Sequence, residues 1–275
     1  MTRVRNKVLV AMSGGVDSSV AAALLCRDKK YEVVGAFMKQ WTDEKGNGKR
    51  QMGNEKREMG NVCTWKKDRR DALRVAAKLE IPLLTLDFEK EYREQVAKYM
   101  FAEYKAGRTP NPDVICNKYI KFGAWLDAAR KMGFDYLATG HYADIKTLKQ
   151  KNIKTFHLFE ARDKNKDQTY FLHQLSQEQL AHTLFPIGGY LKSEVRALAR
   201  KFGLPTAERE ESMGICFVGE RPMKDFLKEN KIKTKMGDIV TTGGEVIGKH
   251  EGLAFYTIGQ RHLGEIRNQK SEIRN

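Results

Sequence analysis

A short apolar run that leads into a loop of glycine and serine constrains this chain more than any other stretch. Residues 8–12 (V-L-V-A-M) predict a buried strand, residues 13–19 (S-G-G-V-D-S-S) form a loop, and a helix is predicted to begin at about Ser18. Two adjacent glycines allow positive φ and let the backbone approach a ligand closely. Amides at the start of a helix have no partner within it, and the helix dipole favours an anion there. The loop is therefore predicted to hold a phosphate group.

The loop differs from the commonest nucleotide-binding loops. It has neither the lysine of the G-x-x-x-x-G-K-[ST] pattern nor a G-x-G-x-x-G pattern. It contains Asp17 instead, and a carboxylate repels phosphate unless Mg²⁺ lies between them. The sequence S-G-G-x-D-S resembles the signature of ATP pyrophosphatases, enzymes that cleave ATP to AMP and pyrophosphate while they adenylate a carbonyl oxygen. A tight strand-to-helix turn without a ligand is the alternative interpretation.

Composition narrows the class of protein. The chain has 275 residues, of which 41% are hydrophobic, enough for one large α/β domain and a smaller appendage. Its 50 basic and 35 acidic residues leave a net charge of +15, which favours a polyanionic partner. No run of 18 apolar residues predicts a membrane span, and no signal peptide precedes the first strand. These features predict a cytoplasmic protein without a membrane partner.

Strands and helices alternate through the first half of the chain. Apolar strands are predicted at 31–38, 83–87 and 136–140, and helices at 18–28, 64–79, 89–105 and 119–132. This alternation predicts an α/β fold with a doubly wound parallel sheet, in which ligands bind at the carboxyl ends of the strands.

The pattern changes after His141. The sequence then predicts a basic hairpin at 145–162 and helices at 167–174, 177–184 and 192–202. We expect three parts: a catalytic domain at 1–204, a small mixed α+β domain at 205–264, and a disordered tail at 265–275. The polar segment 42–61, rich in glycine and charge, is predicted to be a mobile surface loop.

Two of the four cysteines lie in unusual loops. No C-x-x-C spacing occurs, so neither a zinc ribbon nor a thioredoxin-type motif is predicted. Cys116 follows R-T-P-N-P-D-V-I, which two prolines stiffen, and precedes a predicted helix, where a thiolate is favoured. Asp113 can orient or deprotonate a group nearby. Cys216 has a glycine on either side in S-M-G-I-C-F-V-G. The pair is consistent with one cysteine that carries sulfur and one that resolves it, although each can also be a small structural residue.

Seven segments, in order between residues 5 and 264, carry a resemblance to a known family. They are A-M-S-G-G-V-D-S-S (11–19), F-M-K (37–39), A-G-R-T-P-N-P-D-V-I-C-N-K-Y-I-K-F (106–122), A-T-G-H-Y (138–142), K-D-Q-T-Y-F-L (166–172), G-I-C-F-V-G-E-R (214–221) and Y-T-I-G-Q-R (256–261). Together they resemble the tRNA-specific 2-thiouridylase family, which thiolates the wobble uridine of certain tRNAs. The combination separates this family from other pyrophosphatase-loop enzymes such as lysidine, argininosuccinate or GMP synthetases.

The resemblance implies a set of binding residues. ATP would be bound by the loop and by two further strand ends, namely Ala11, Met12, Ser13, Gly14, Gly15, Val16, Asp17, Ser18, Met38 and Gly140. The target base would contact Asn111, Pro112 and Asp113, and the tRNA would contact His141, Lys166, Asp167 and Gln168. No metal site is implied in the protein beyond the Mg²⁺ that accompanies ATP. For His141, the residues alone leave a structural role equally open.

The resemblance also implies the chemistry. Cys216 would accept sulfur as a persulfide from a relay protein or cysteine desulfurase, and Cys116 would be the nucleophile that helps to release it. AMP would leave as sulfur attacks C2 of the adenylated uracil, and a transient Cys116–Cys216 disulfide would close the cycle. The RNA partners implied are wobble-uridine tRNAs for Lys, Glu and Gln. An iron–sulfur cluster on Cys63, Cys116 and Cys216 is an alternative that the spacing does not favour.

The sequence departs from the family near its end. Members continue into a C-terminal β-barrel that helps to hold the tRNA, whereas here the similarity stops near Gly264 and a charged tail follows. We expect a shortened chain without that barrel, with its catalytic residues retained and its RNA binding weakened. Two alternatives stay open. One is a non-catalytic remnant that binds nucleotide or tRNA, and the other is a pyrophosphatase-loop ligase that uses ammonia, against which the two cysteines argue.

Overall fold

The computed structural model describes residues 5–41, 64–150, 153–210, 223–230, 232 and 234–260. The predictions made for Cys63, Cys216, the polar segment 42–61 and the tail 265–275 lie outside the described residues. Within the described ranges, no helix combines the length and the apolar character needed to cross a bilayer.

Strands and helices alternate as far as the fourth strand. The strands are β1 (Asn6–Ala11), β2 (Tyr31–Lys39), β3 (Leu83–Asp87), β4 (Tyr136–Ala138), β5 (Asp144–Gln150), β6 (Ile153–Phe159), β7 (Thr183–Leu184), β8 (Gly237–Val240) and β9 (Val246–His250). The helices are α1 (Val16–Arg27), α2 (Thr64–Lys78), α3 (89–105), α4 (112–131), α5 (Gln177–Ala181), α6 (Lys192–Lys201) and α7 (Met223–Glu229). Two of them contain π-helical stretches, Arg93–Ala97 in α3 and Cys116–Trp125 in α4.

One parallel sheet of five strands forms the centre of the fold. Its order is β3-β2-β1-β4-β7, and β1 pairs with β2 on one side and with β4 on the other. The predicted doubly wound α/β sheet is therefore confirmed. Because the strand order reverses between β1 and β4, a crevice is left outside the carboxyl ends of these two strands. The other described strands form two antiparallel hairpins, β5–β6 and β8–β9.

The central strand β1 is buried on both faces of the sheet. Successive side chains of a strand point to opposite faces. Val8 and Val10 accordingly join the hydrophobic cluster that α1, α2 and α6 cover, whereas Leu9 joins the cluster that α3 and α4 cover. All three side chains are fully buried. This packing fixes the end of β1, and with it the loop that follows.

The segment 223–260 packs on the α3–α4 layer. Phe226 and Leu227 of α7 are buried in the same cluster as the side chains of α3 and α4, and the ring of Phe226 stacks on that of Phe101 at 5.9 Å between centroids. The hydroxyl of Thr109 also donates a hydrogen bond of 3.1 Å to the carbonyl of Tyr256. Side chains of α7 thus belong to the same hydrophobic core as those of α3 and α4. The domain boundary expected between residues 204 and 205 stays a prediction.

The prediction that a helix begins at residue 119 is wrong. The helix begins at Pro112, because the Asn111 side chain accepts a hydrogen bond of 3.2 Å from the Val114 amide and proline occupies the first turn. Cys116 therefore lies inside α4, where the π-helical stretch begins, and not in a loop before a helix. The N-P-D sequence is a helix start that we interpreted as a stiff loop.

Three shorter elements also differ from their predictions. The helix expected at 177–184 ends at Ala181, and Thr183–Leu184 pair with Leu137–Ala138 as the fifth strand of the sheet. The helix expected at 167–174 is only a 3₁₀ turn, Thr169–Leu172. Helix α1 begins two residues earlier than expected, at Val16. Short apolar runs of this kind do not distinguish helix from strand until their tertiary partners are known.

Truncation of a buried side chain on β4, the neighbour of β1, tests whether the sheet forms the core of the fold. Leu137 on β4 is fully buried, so Leu137→Ala should lower the free energy of unfolding by about 2–5 kcal/mol through lost burial and a residual cavity. Leu148 on the β5–β6 hairpin is 41% exposed, and Leu148→Ala should change it by less than about 1 kcal/mol. Urea unfolding followed by circular dichroism measures both, and equal losses would contradict this core assignment.

Candidate functional site

The glycine- and serine-rich loop lies at the point where the strand order reverses. Gly14 adopts a φ of +79°, and a Cβ added to it would lie 2.3 Å from the carbonyl oxygen of Asp68 on α2. Gly140 follows β4, and a Cβ there would lie 2.6 Å from the amide nitrogen of Ser18. No side chain fits at either position. The loop is therefore pressed between α2 on one side and the end of β4 on the other.

The serines of the loop hold its own backbone in shape. The Ser18 hydroxyl accepts a hydrogen bond of 3.2 Å from the Ser13 amide and lies 3.2 Å from the Gly15 carbonyl, to which it can donate. The Ser19 hydroxyl donates to the same carbonyl at 2.7 Å and accepts from the Thr206 hydroxyl at 3.0 Å. Ser18 and Ser19 are buried. These hydroxyls shape the loop, and the amides that begin α1 provide its anion-binding character.

Asp17, the acidic residue of the loop, is paired with a lysine from a distant part of the chain. The ammonium of Lys192, the first residue of α6, lies 2.7 Å from one carboxylate oxygen of Asp17 and 2.8 Å from the other. The hydroxyl of Tyr142 donates a further hydrogen bond of 3.0 Å to Asp17. No sequence pattern indicates that Lys192 or Tyr142 contacts Asp17, because only the fold brings them to the loop.

A second cation holds the glycine turn of the loop. The guanidinium of Arg209 donates a hydrogen bond of 2.8 Å to the Gly14 carbonyl, one of 2.9 Å to Asp71, and a third to Asp68. Arg196 of α6 in turn donates to the carbonyl of Arg209 at 2.9 Å. The conformation of Gly14 is thus set from α2 and from the segment after α6 together. Arg209 is another residue that sequence reasoning missed.

The predicted ATP residues come together in the structure. Residues 11–18, Met38 and Gly140 all lie at the carboxyl ends of β1, β2 and β4 or directly after them. These three strands are neighbours in the sheet. At this one edge of the sheet, α1 begins, and the backbone comes close to neighbouring segments at Gly14 and Gly140. This arrangement suits a nucleotide whose phosphates lie at the start of α1.

The predicted base-binding residues lie in the first turn of α4. Asn111 caps the helix through its side-chain oxygen, which leaves its amide group as a donor. Burial raises the pKa of the Asp113 carboxyl, and the ammonium of Lys121 offsets part of this rise. Cys116 is buried one turn further along the helix. Asp113 and Cys116 are three residues apart on one helix and so share a face.

His141 is a buried histidine in an aromatic setting. Its Nδ1 lies 2.6 Å from the Thr139 hydroxyl, and its ring contacts those of Phe122 and Phe185 at 5.8 and 5.9 Å between centroids. Burial holds the pKa of the imidazole well below its usual value, and the Lys121 ammonium lowers it further. His141 is therefore neutral near pH 7, and its surroundings favour the structural role that the sequence left open.

Two of the predicted tRNA contacts, Asp167 and Gln168, make internal hydrogen bonds. The Asp167 carboxylate accepts from the Ala161 amide at 2.7 Å and from the Thr169 amide at 3.2 Å. The Gln168 side-chain oxygen accepts a hydrogen bond of 2.9 Å from the backbone amide of Tyr142. The backbone amide of Gln168 donates one of 2.8 Å to the Tyr142 carbonyl. These side chains fix the turn that follows the β5–β6 hairpin. The assignment of this segment to tRNA binding stays a prediction.

Within the described residues, no group of three or more His, Cys, Asp or Glu side chains could hold a metal ion. Cys63 and Cys216, two of the three cysteines considered for an iron–sulfur cluster, lie outside the described residues. The predicted pairing of Cys116 with Cys216 falls outside them for the same reason.

Comparison with known proteins identifies the family. A family model described as the tRNA methyl transferase HUP domain matches residues 6–220, and one described as the tRNA methyl transferase PRC-barrel domain matches residues 224–271. The first match covers most of the chain, so the chain belongs to this family.

The curated relatives are longer than this chain. A protein of Enterococcus faecalis named tRNA-specific 2-thiouridylase MnmA is 51% identical over 257 residues, which cover 94% of this chain and 64% of that protein. A protein of the same name from Levilactobacillus brevis is 52% identical over 258 residues, with the same coverage. The chain thus spans less than two thirds of the length of these relatives.

Solved structures give a more distant likeness. One is described as the U34-tRNA thiolase NcsA from Methanococcus maripaludis with its [4Fe-4S] cluster. It matches 82% of this chain and 68% of that chain, at 15% identity and a TM-score of 0.44.

The contacts of Arg209 lead to a prediction about stability. Arg209→Gln should lower the free energy of unfolding by about 1–3 kcal/mol, because Asp68, Asp71 and the Gly14 carbonyl lose their shared donor. Arg200→Gln is the matched control, since Arg200 makes an exposed ion pair with Glu208 and should cost no more than about 0.5 kcal/mol. Chemical denaturation of both variants measures the difference. Equal costs would mean that Arg209 does not clamp the loop.

The environment of His141 predicts how stability depends on pH. The pKa of His141 is lowered in the folded protein. Below about pH 6.5, the ordinary pKa of histidine, the unfolded chain therefore binds a proton at His141 and the folded chain does not. Acid therefore favours unfolding, with a slope that approaches about 1.4 kcal/mol per pH unit from this residue. His141→Gln should therefore flatten the acid side of the profile, below about pH 6.5. An unchanged slope in His141→Gln would contradict the buried neutral imidazole.

Proposed function

We propose that this member of the family uses ATP to replace the C2 oxygen of a uridine in tRNA with sulfur. The observation that carries the proposal is the gathering of residues 11–18, Met38 and Gly140 at one sheet edge around an S-G-G-V-D-S-S loop. The names of relatives that are about half identical to this chain support the same reaction. Family membership supports tRNA as the substrate class.

The proposed first step is adenylation. Backbone amides at the start of α1 bind the phosphates, and the strand ends with Met38 and Gly140 border the nucleoside. The uridine C2 oxygen attacks the α-phosphorus of ATP, the bond to the β-phosphate breaks, and pyrophosphate leaves. Mg²⁺ accompanies the phosphates and spreads their charge when bound. The step turns a poor oxygen leaving group into AMP.

Asn111, Pro112 and Asp113 are the proposed contacts of the target base. Asn111 retains an amide donor after capping α4, and Asp113 is half-buried with a raised pKa. A carboxyl whose pKa is raised is a better proton acceptor than an ordinary one, and it suits hydrogen bonding to a uracil ring or proton transfer at it. The first turn of α4 thus presents a donor and an acceptor side by side.

Sulfur transfer is proposed to use both cysteines. A terminal persulfide sulfur on Cys216 attacks C2, AMP departs with the former carbonyl oxygen, and the base is briefly joined to Cys216 through two sulfurs. The thiolate of Cys116 then attacks the Cys216 sulfur and breaks the S–S bond, which leaves the thiocarbonyl on the base and a Cys116–Cys216 disulfide on the protein. A thiol reductant supplies two electrons to restore the cysteines, and a sulfur-relay protein or cysteine desulfurase supplies the next persulfide.

We propose wobble-uridine tRNAs for Lys, Glu and Gln as substrates. The charge of +15 supports a polyanionic partner of this kind. Lys166, together with the backbone that Asp167 and Gln168 hold in place, is the proposed RNA contact near the site. The description of the family model includes the words methyl transferase. We favour sulfur transfer because methyl transfer requires no cleavage of ATP at its α-phosphorus, which is the reaction the loop signature indicates.

Thiolation of an unmodified tRNA tests the proposed function. With ATP, Mg²⁺, a cysteine desulfurase with cysteine as the source of persulfide sulfur, and a thiol reductant, mass spectrometry of the nucleosides should show 2-thiouridine with the wild-type chain. Cys116→Ser and Cys216→Ser should each lower product at least about a hundredfold while ATP binding is unchanged, because the sulfur-handling groups are lost. Cys26→Ser is the matched control. This thiol lies half-buried on α1, where burial raises its pKa, so it should be dispensable.

Four results would contradict parts of this proposal. Product formation by Cys216→Ser would exclude the persulfide role. Loss of activity on treatment with an iron chelator would favour the iron–sulfur alternative. Wild-type protein that binds ATP but forms no 2-thiouridine would favour a non-catalytic remnant, and ATP-dependent incorporation of ammonia would favour the ligase.

A further inference from the structure

The Asp17 carboxylate accepts hydrogen bonds from two side chains that the loop sequence does not indicate. Tyr142 and Lys192 place three hydrogen bonds on its two oxygens. A carboxylate offers about four acceptor positions, so donors already take three of those at Asp17, and the Lys192 ammonium beside them opposes the binding of a second cation there. The sequence alone led us to expect Mg²⁺ between Asp17 and phosphate.

Lys192 is held at this position by its backbone as well as by its side chain. Its amide donates a hydrogen bond of 2.8 Å to the Asp163 carboxylate at the start of α6. The Glu194 carboxylate accepts from the Leu191 amide at 2.7 Å and closes the first turn of the helix. Val195 of the same helix is fully buried in the cluster that α1 shares. The ammonium therefore approaches the loop from a rigid helix end.

Charge around the loop is otherwise compensated. Arg209 faces Asp68 and Asp71 on the α2 side, where one cation meets two carboxylates. Among these contacts, the positive charge on the Asp17 side comes from Lys192, whose side chain is only 13% exposed, against 32% for that of Asp17. A poorly solvated ammonium at the start of α1 acts on a bound anion at low local dielectric, where its effect is large.

We propose that Lys192 supplies, at Asp17, the positive charge that the sequence assigned to Mg²⁺, and that its ammonium is a phosphate-binding group of the loop. The carboxylate holds the ammonium at the start of α1, and the pair is neutral, so the loop accepts a nucleotide polyphosphate without a metal ion on Asp17. A lysine is suited to this task because it binds phosphate as a compact point charge. The inference rests on the proposed function, since it requires a nucleotide at residues 13–19.

The test compares nucleotide binding with and without Mg²⁺. Calorimetric titration with α,β-methylene-ATP, which cannot be cleaved between its α- and β-phosphates, is done in excess Mg²⁺ and in excess EDTA. Wild-type protein should lose less than about tenfold in affinity when Mg²⁺ is removed, whereas Lys192→Gln should lose more than about a hundredfold. The larger loss is expected because Asp17 then faces the phosphates without a cation, and Mg²⁺ becomes the only group that can take its place.

Two further variants control the experiment. Lys201→Gln removes the same charge from the exposed far end of α6 and should behave as the wild type. Lys192→Arg keeps the charge and should keep most of the binding in EDTA, which a merely structural lysine would not require. Thermal unfolding of each variant shows whether it is folded.

The outcomes separate the two proposals. Equal dependence on Mg²⁺ in wild-type protein and Lys192→Gln would overturn the role of Lys192 and leave the proposed function standing. A wild-type loss of more than about a hundredfold in EDTA would overturn it without any variant. Wild-type protein that binds no nucleotide in either buffer would contradict the proposed function and this inference together.

Discussion

The site depends on the close approach of two backbones at the centre of the sheet. Helix α1 begins so near the end of β4 that a methyl group at Gly140 would lie 2.6 Å from the Ser18 amide nitrogen. The contact can exist only because β1 and β4 are neighbours in a sheet whose order reverses between them. It brings the phosphate loop next to the residues that follow β4. Tyr142 reaches Asp17 for this reason, and His141 is buried beside it.

Cations from the later part of the chain complete the loop. Lys192 contacts Asp17, Arg209 contacts Gly14, and Arg196 holds the backbone of Arg209. All three belong to α6 or to the segment that follows it, and α6 packs on α1 through the shared cluster. The strand–loop–helix unit is continuous in the sequence, yet its side chains and backbone are held by residues more than 170 positions away, such as Lys192.

The parts of the fold that local sequence patterns determine could be predicted from the sequence. The buried strand β1, the loop, and the alternation of strands and helices follow from apolar runs and glycine spacing, so the sheet and its ligand edge were predictable. The N-P-D start of α4 is also a local signal, but two prolines so close together equally predict a stiff loop. The pairings of Lys192 and Arg209 were not predictable, because a charged residue carries no local sign of its partner. The strand at Thr183–Leu184 is too short to have a periodicity of its own.

Tyr142 joins the nucleotide loop to the segment proposed to contact tRNA. Its hydroxyl binds Asp17, while its amide and carbonyl exchange hydrogen bonds with Gln168. The loop and the turn at Gln168 are therefore connected through one buried residue. The internal hydrogen bonds of Asp167 and Gln168 are compatible with their proposed role in tRNA binding, because they hold this turn in a fixed position relative to the loop that contains Asp17.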